Sequence, residues 1–247
     1  MQNIAANLGG MLTPFGNPQN LYLYSFFDIP TGSFMAVMAP PFVLAVTMLT
    51  ICCLFVKNDA LELGFTEEKP LPKGRTAIYL VLFALAIAIV FRGIPWVVGL
   101  IVIPPVLLFM DRSALKAVDY PLLGTFAAFF IFSGNMSRIP AVSELLGGLM
   151  EVNPLLISIA SCQVISNVPS AILLSRFTDI WEPLLLGVNI GGTGTLISSL
   201  ASLITFAEYR RHGGSVKHYL KLFTLFNILF LVVLTALALV QLQIMGI

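Results

Sequence analysis

The chain has 247 residues, of which 58% are hydrophobic and only 10% charged, with a net charge of +1 and a mean hydropathy of +0.96. A soluble domain carries about 25% charged residues because its surface must stay hydrated, so this composition excludes a soluble globule and makes lipid the solvent. A charge so near neutral also gives no basic surface for nucleic acid, and none is expected as a partner.

Residues 1–27 contain neither Lys nor Arg and so lack the basic start of a secretory signal. Apolar runs then follow at 33–56, 76–91, 94–110, 121–132 with its continuation, 183–206 and 219–241. Long, continuous runs of this kind read as membrane helices; barrel strands would alternate. Cys52, Cys53 and Cys162 lie inside apolar runs and read as packing residues rather than a disulfide framework.

Basic residues cluster in three loops: Lys57, Lys69, Lys73 and Arg75; Arg112 and Lys116; and Arg210, Arg211, Lys217 and Lys221. The positive-inside bias assigns these loops to the cytoplasm, with Arg92, Arg138 and Arg176 on the other side. Two spans join the first loop to the second, as an even count requires. From Asp119, a span from residue 121 to about 135 goes out, and residues 183–206 return to Arg210.

Residues 139–177 must therefore begin and end outside. They read as a short surface segment carrying Glu144 and Glu151, then an apolar stretch, 154–177, interrupted by Ser166-Asn167-Val168-Pro169. Arms of about 12 residues, roughly 18 Å as helix, are too short to span. A re-entrant hairpin with its tip near the midplane fits both length and charge. A single kinked span is the alternative, and it would set Arg176 and the Arg210 loop on opposite sides.

Self-comparison finds a repeat at an offset of 182 (from 7 to 189). Asn7-Leu8-Gly9-Gly10-Met11-Leu12-Thr13 corresponds to Asn189-Ile190-Gly191-Gly192-Thr193-Gly194-Thr195, and Gly16, Asn17 and Asn20 fall on Ser198, Ser199 and Ser202. The loop assignments give the two copies opposite directions. Paired, interrupted helices of opposite sense mark an inverted-topology transporter. In the second copy the hairpin tip precedes the glycine pair, and the equivalent position in the first copy would fall before Met1. The expectation is a chain whose N-terminal part is missing.

Unpaired backbone groups in lipid cost several kcal/mol each, so glycine pairs flanked by Pro14, Pro18 and Pro169 belong at membrane depth where the freed backbone lines a cavity. Released carbonyls can hold a cation, and the free N–H groups of half-helices can face an anion. Asp119, Glu144, Glu151, Asp179, Glu182 and Glu208 all map near span ends, so no buried carboxylate relay is visible here. His212 and His218 fall in a basic loop. No His-Glu-x-x-His motif, paired intramembrane carboxylates or Ser/His constellation points to an enzyme.

Ala6-Asn7-Leu8-Gly9-Gly10-Met11-Leu12-Thr13-Pro14-Phe15-Gly16-Asn17-Pro18-Gln19-Asn20 resembles the unwound-helix signature of the ion transporter superfamily. That group includes citrate transporter-like permeases, arsenite permeases and divalent anion:sodium symporters. Ser166-Asn167-Val168-Pro169-Ser170 and the Asn189–Thr195 segment are similar to its second hairpin tip and second broken helix. The resemblance implies an all-α polytopic membrane protein with an inverted repeat, in a bacterial or archaeal inner membrane, dimeric when complete. On it, 1–56 is the end of the first repeat, 57–75 a cytoplasmic linker, 76–138 scaffold helices and 139–247 the second repeat core.

The resemblance also implies roles. Ser166 and Asn167, with Asn189, Gly191 and Gly192, would form one Na⁺ site; Asn7, Gly9 and Gly10 belong to its symmetry mate. Asn167, Val168, Thr193 and Thr13 would face the substrate. The implied function is secondary active transport of a small inorganic or carboxylate anion coupled to Na⁺ or H⁺, with no cofactor beyond Na⁺. A sodium/proton antiporter-like permease, or a transporter fragment inactive alone, is the alternative. Dicarboxylate symporters carry Thr where Val168 stands, so a hydroxyl for a carboxylate is absent and the tip is closer to the arsenite permease and antiporter branches.

Overall fold

A computed structural model of the chain describes residues 1–56 and 72–247, and Lys57 and Lys69 of the expected linker lie outside them. Among the described residues every regular element is a helix. The helices fall into two compact units, Phe55–Leu123 and a larger one made of Met1–Leu54 with Gly124–Ile247.

The larger unit opens with two short helices, α1 (Gln2–Gly9) and α2 (Pro18–Phe26), separated by an irregular segment. Proline at the first position of α2 suits it, since an N–H there would have no intrahelical partner. Next comes α3 (Thr31–Leu54), whose 24 residues give a length of about 36 Å, enough to cross a bilayer. Its buried residues Phe34, Val37, Met38, Pro41 and Ala45 recur at helical spacing and form one stripe.

The smaller unit contains α4 (Lys73–Val90), α5 (Trp96–Met110) and the short α6 (Arg112–Lys116). Helix α4 is long and apolar enough to span, and most of its side chains are exposed, as befits a lipid-facing helix. Gly99 lets α5 approach α4, since a Cβ there would meet Ile89 Cδ1 at 2.5 Å. Asp111 caps α6 by accepting from the Ser113 and Ala114 amides, and Tyr79 Oη donates to it at 2.7 Å. These hydrogen bonds, led by that from the Ser113 side chain, hold the Asp111 carboxyl down to about 2.

The chain continues through α7 (Tyr120–Met136), then turns by 98° into α8 (Pro140–Val152). The turn leaves Glu144 and Glu151 exposed, in keeping with a segment lying along the membrane surface. Then come α9 (Pro154–Ile165) and α10 (Asn167–Leu174), which meet at Ser166. Ser161 Oγ and Ser170 Oγ are 2.9 Å apart. In one continuous helix, residues nine apart would be separated by about 13 Å along the axis. The chain therefore reverses at Ser166, and the interruption is a hairpin rather than a kinked span. Its second arm is shorter than expected, because α10 is only 8 residues long.

The run 183–206 resolves into α11 (Trp181–Ile190) and α12 (Leu200–Arg211), and the long α13 (Val216–Met245) completes the unit. The buried residues of α13, Phe223, Asn227, Phe230, Leu234, Ala238 and Leu242, form a single stripe. Gln241 Nε2 on α13 donates to Val37 O on α3 at 2.8 Å. Besides α8 and most of α7, the unit thus has two long helices, α3 and α13, two broken pairs and one hairpin.

Candidate functional site at the crossed helix breaks

Both glycine pairs mark real interruptions. Helix α1 ends at Gly9 and α2 begins at Pro18, while α11 ends at Ile190 and α12 begins at Leu200. Pro18 and Leu200 differ by the same offset as the motifs, so the sequence repeat is also a structural one.

Hydrogen bonds between the two pairs establish their relative sense. Asn3 Nδ2 donates to Ser202 Oγ at 3.3 Å, Asn7 Nδ2 to Ser199 Oγ at 2.7 Å, and Asn189 Nδ2 to Asn20 Oδ1 at 2.7 Å. Partner numbers fall as residue numbers rise, so the broken helices run antiparallel. The breaks lie where they cross. Asn7 Nδ2 also donates to Gly192 O at 3.1 Å, and Asn17 Nδ2 lies 3.5 Å from Asn189 Oδ1. The Asn7–Ser199 and Asn189–Asn17 pairs are mates under the repeat.

The hairpin closes onto the second break. Asn167 N donates to Ser198 O at 2.9 Å, and Ser166 Oγ donates to the same carbonyl at 3.3 Å. Ser166 itself has φ 74° and ψ 160°, a region open essentially to glycine alone and costing about 1–3 kcal/mol for other residues. Strain of this kind concentrates at functional turns. Asn167 is buried; its Oδ1 accepts from Val168 N at 3.0 Å, while a Cβ on Gly192 would come within 3.0 Å of its Nδ2. Val168 beside it is half-buried.

The hairpin also packs tightly. Gly187 and Gly191 lie one turn apart on α11 and face α9: a Cβ on Gly187 would meet Ser158 Cβ at 2.6 Å, and one on Gly191 would meet Cys162 Cβ at 2.9 Å. This is the small-xxx-small approach of membrane helices, and it explains why Cys162 is wholly buried. Gly191 thus serves both close packing and the break.

Thr193 is buried and its Oγ1 donates to Ile190 O at 2.6 Å; Thr13 is half-buried; Gly9 is exposed, and Gly10 is partly so. Asn7 and Asn189 are both buried in the crossing. The structure brings Ser166, Asn167, Asn189, Gly191, Gly192, Thr193 and Asn7 into one neighbourhood. It leaves Gly9 on the open side of the first break.

Sequence reasoning did not single out three of the residues that matter here. Gln163 on α9 donates through Nε2 to Gly191 O at 2.9 Å and to Thr193 O at 3.2 Å, and its Oε1 accepts from Thr195 N at 2.9 Å. Asn3 Nδ2 donates to Asn227 Oδ1 at 3.0 Å, linking α1 to α13. The available signal was a lone amide inside an apolar run. Among the described residues no three His, Cys, Asp or Glu side chains gather at one point, so the oxygen donors at the crossing are carbonyls, amides and hydroxyls.

Residues 3–179 match the citrate transporter family, CitMHS. The chain is 33% identical over 244 residues to an uncharacterized transporter, MJ0456, of Methanocaldococcus jannaschii, covering 96% of this chain and 65% of that protein. It is 33% identical over 210 residues to the inner membrane protein YbiR of Escherichia coli, covering 81% of this chain and 55% of that protein. The chain spans less than two thirds of the length of either relative.

Proposed function

Because this chain belongs to the citrate transporter family and is an integral, multi-pass membrane protein, we propose that it is a transporter, or part of one, that moves a small inorganic or carboxylate anion by secondary active transport coupled to a Na⁺ or H⁺ gradient. The observation that carries this reading is the antiparallel crossing of two broken helices, with Asn7 donating to Ser199 Oγ and Gly192 O while Asn189 donates to Asn20 Oδ1.

Two helices of opposite sense that both break at one crossing bring backbone dipoles of both signs to a single place. Half-helix N-termini there, at Pro18, Asn167 and Leu200, carry partial positive charge suited to an anion. The groups around them are neutral amides and hydroxyls, so an anion meets donors without a fixed counter-charge that would trap it. Ser166, Asn167 and Val168 form the tip of a hairpin that could move against the break, which is the element an alternating-access cycle needs.

The test is uptake by the longest form of the protein in liposomes. Labelled citrate, succinate, sulfate and arsenite are offered with an imposed Na⁺ gradient, an imposed proton gradient, or neither. The expected result is accumulation of at least one anion that collapses when the gradient is dissipated. Flux of equal rate without any gradient would instead identify a channel, and no flux of any anion under any gradient would overturn the proposal.

A further inference from the structure

Backbone carbonyls released at the two breaks converge on points, and each point holds a side-chain amide. At the second break Gln163 Nε2 lies 2.9 Å from Gly191 O and 3.2 Å from Thr193 O, and also 3.1 Å from Ile159 O, a carbonyl one turn back on its own helix α9. At the first break Asn20 Nδ2 lies 3.2 Å from each of Gly10 O, Met11 O and Thr13 O. Met11 and Thr193 are equivalent under the repeat, so the two nests share a carbonyl position. The amides come from unrelated places: Gln163 from a hairpin arm, Asn20 from the half-helix after its own break.

Neither amide is free to turn over. Gln163 Oε1 accepts from Thr195 N at 2.9 Å, and Asn20 Oδ1 accepts from Asn189 Nδ2 at 2.7 Å. Each oxygen meets an N–H and each nitrogen meets only carbonyls, which fixes the orientation of both groups. A primary amide nitrogen has two N–H bonds, yet each faces three carbonyl oxygens. Carbonyl oxygens gathered in this way, three from the break around Asn20 and two from the break with one of α9 around Gln163, suit a positive charge better than a two-proton donor.

Two further carbonyls of the second break, those of Gly192 and Ser198, are also engaged. Gly192 O accepts from Asn7 Nδ2 and from Ser198 Oγ, and Ser198 O accepts from Asn167 N and Ser166 Oγ. The residues present therefore do not fit Na⁺ at the Gly191 and Gly192 carbonyls, where the inverted-repeat resemblance would put it.

We propose that Gln163 and Asn20 are built-in occupants of the two carbonyl nests, each amide standing in place of an alkali cation. This deepens the transport reading and rests on it for the role of the breaks. It makes Gln163 a positioning residue: it binds the hairpin arm to the second break by the same carbonyls a cation would use, with no dependence on Na⁺ concentration.

Thermal unfolding of the purified full chain in detergent tests this, with NaCl titrated against choline chloride at constant ionic strength. Wild-type protein is expected to show no Na⁺-specific shift. Gln163→Ala opens the nest, lowers the midpoint in choline, and regains roughly 3 °C or more when Na⁺ is added in excess; Gln163→Ser, which leaves less void, is expected to do the same. A Na⁺-specific rise in the wild type would overturn the proposal whether or not either variant folds. So would a folded Gln163→Ala or Gln163→Ser protein that is indifferent to Na⁺. If neither variant folds, a wild type insensitive to Na⁺ supports the proposal. Loss of anion uptake under every gradient would sink the transport reading instead, so the two failures are distinguishable.

Discussion

The two helix breaks share a motif and an offset, yet they sit in different surroundings. Gly9, at the end of α1, is exposed, and a Cβ there would meet nothing within 4 Å. Its counterpart Gly191 is buried, and a Cβ there would meet Gly187 O at 2.7 Å and Cys162 Sγ at 2.9 Å. The difference is the hairpin. Helices α9 and α10 lie against the second break and supply Gln163, Ser166 and Asn167, whereas the first break is held by its own Asn17 and Asn20. Local sequence sets where a helix opens; what packs beside it sets how enclosed the opening becomes.

That contrast can be broken by substituting the paired glycines. Gly191→Ala should destabilise by about 1–3 kcal/mol, since the backbone and Cys162 must shift to admit a methyl group. Gly9→Ala should leave stability unchanged or raise it by up to about 1 kcal/mol, since it lies in open space at the end of a helix. Chemical or thermal unfolding of the two variants in one detergent decides this. Equal effects at both positions would mean that the hairpin is not what encloses the second break.

A smaller effect sharpens the role of the hairpin tip. Ser166→Gly relieves the positive φ and Ser166→Ala does not, while both remove the hydroxyl that donates to Ser198 O. The glycine variant should be more stable than the alanine variant by about 1 kcal/mol or more. If alanine is the more stable of the two, the strained conformation at Ser166 is not the one the protein adopts.

Much of this arrangement was legible in the sequence, and the reason is physical. Glycine pairs and prolines inside apolar runs cannot continue a helix without cost, so the openings at Gly9-Gly10, Ser166 and Gly191-Gly192 announce themselves. Opposite charge bias at the ends of the runs then gave the two copies opposite senses, and the Asn3–Ser202 to Asn189–Asn20 register is antiparallel. The partners of those openings were not legible. Gln163 is one amide in an apolar helix, and nothing local says that its nitrogen meets carbonyls 28 and 30 residues further on. Likewise Asn227 looks like an isolated polar residue in a long span until α1 brings Asn3 to it. Side chains whose role lies in long-range contact leave no periodic trace.

The transport proposal requires that water and substrate reach the crossed breaks. The most direct measurement is thiol labelling of Thr195→Cys, an exposed position at the second break, in a background where Cys52 and Cys53 are replaced by Ser. A water-soluble, membrane-impermeant maleimide should modify it in liposomes, and an anion that the protein transports should slow that reaction several-fold. A Thr195→Cys protein that folds but stays unmodified from both sides of the membrane would contradict the account.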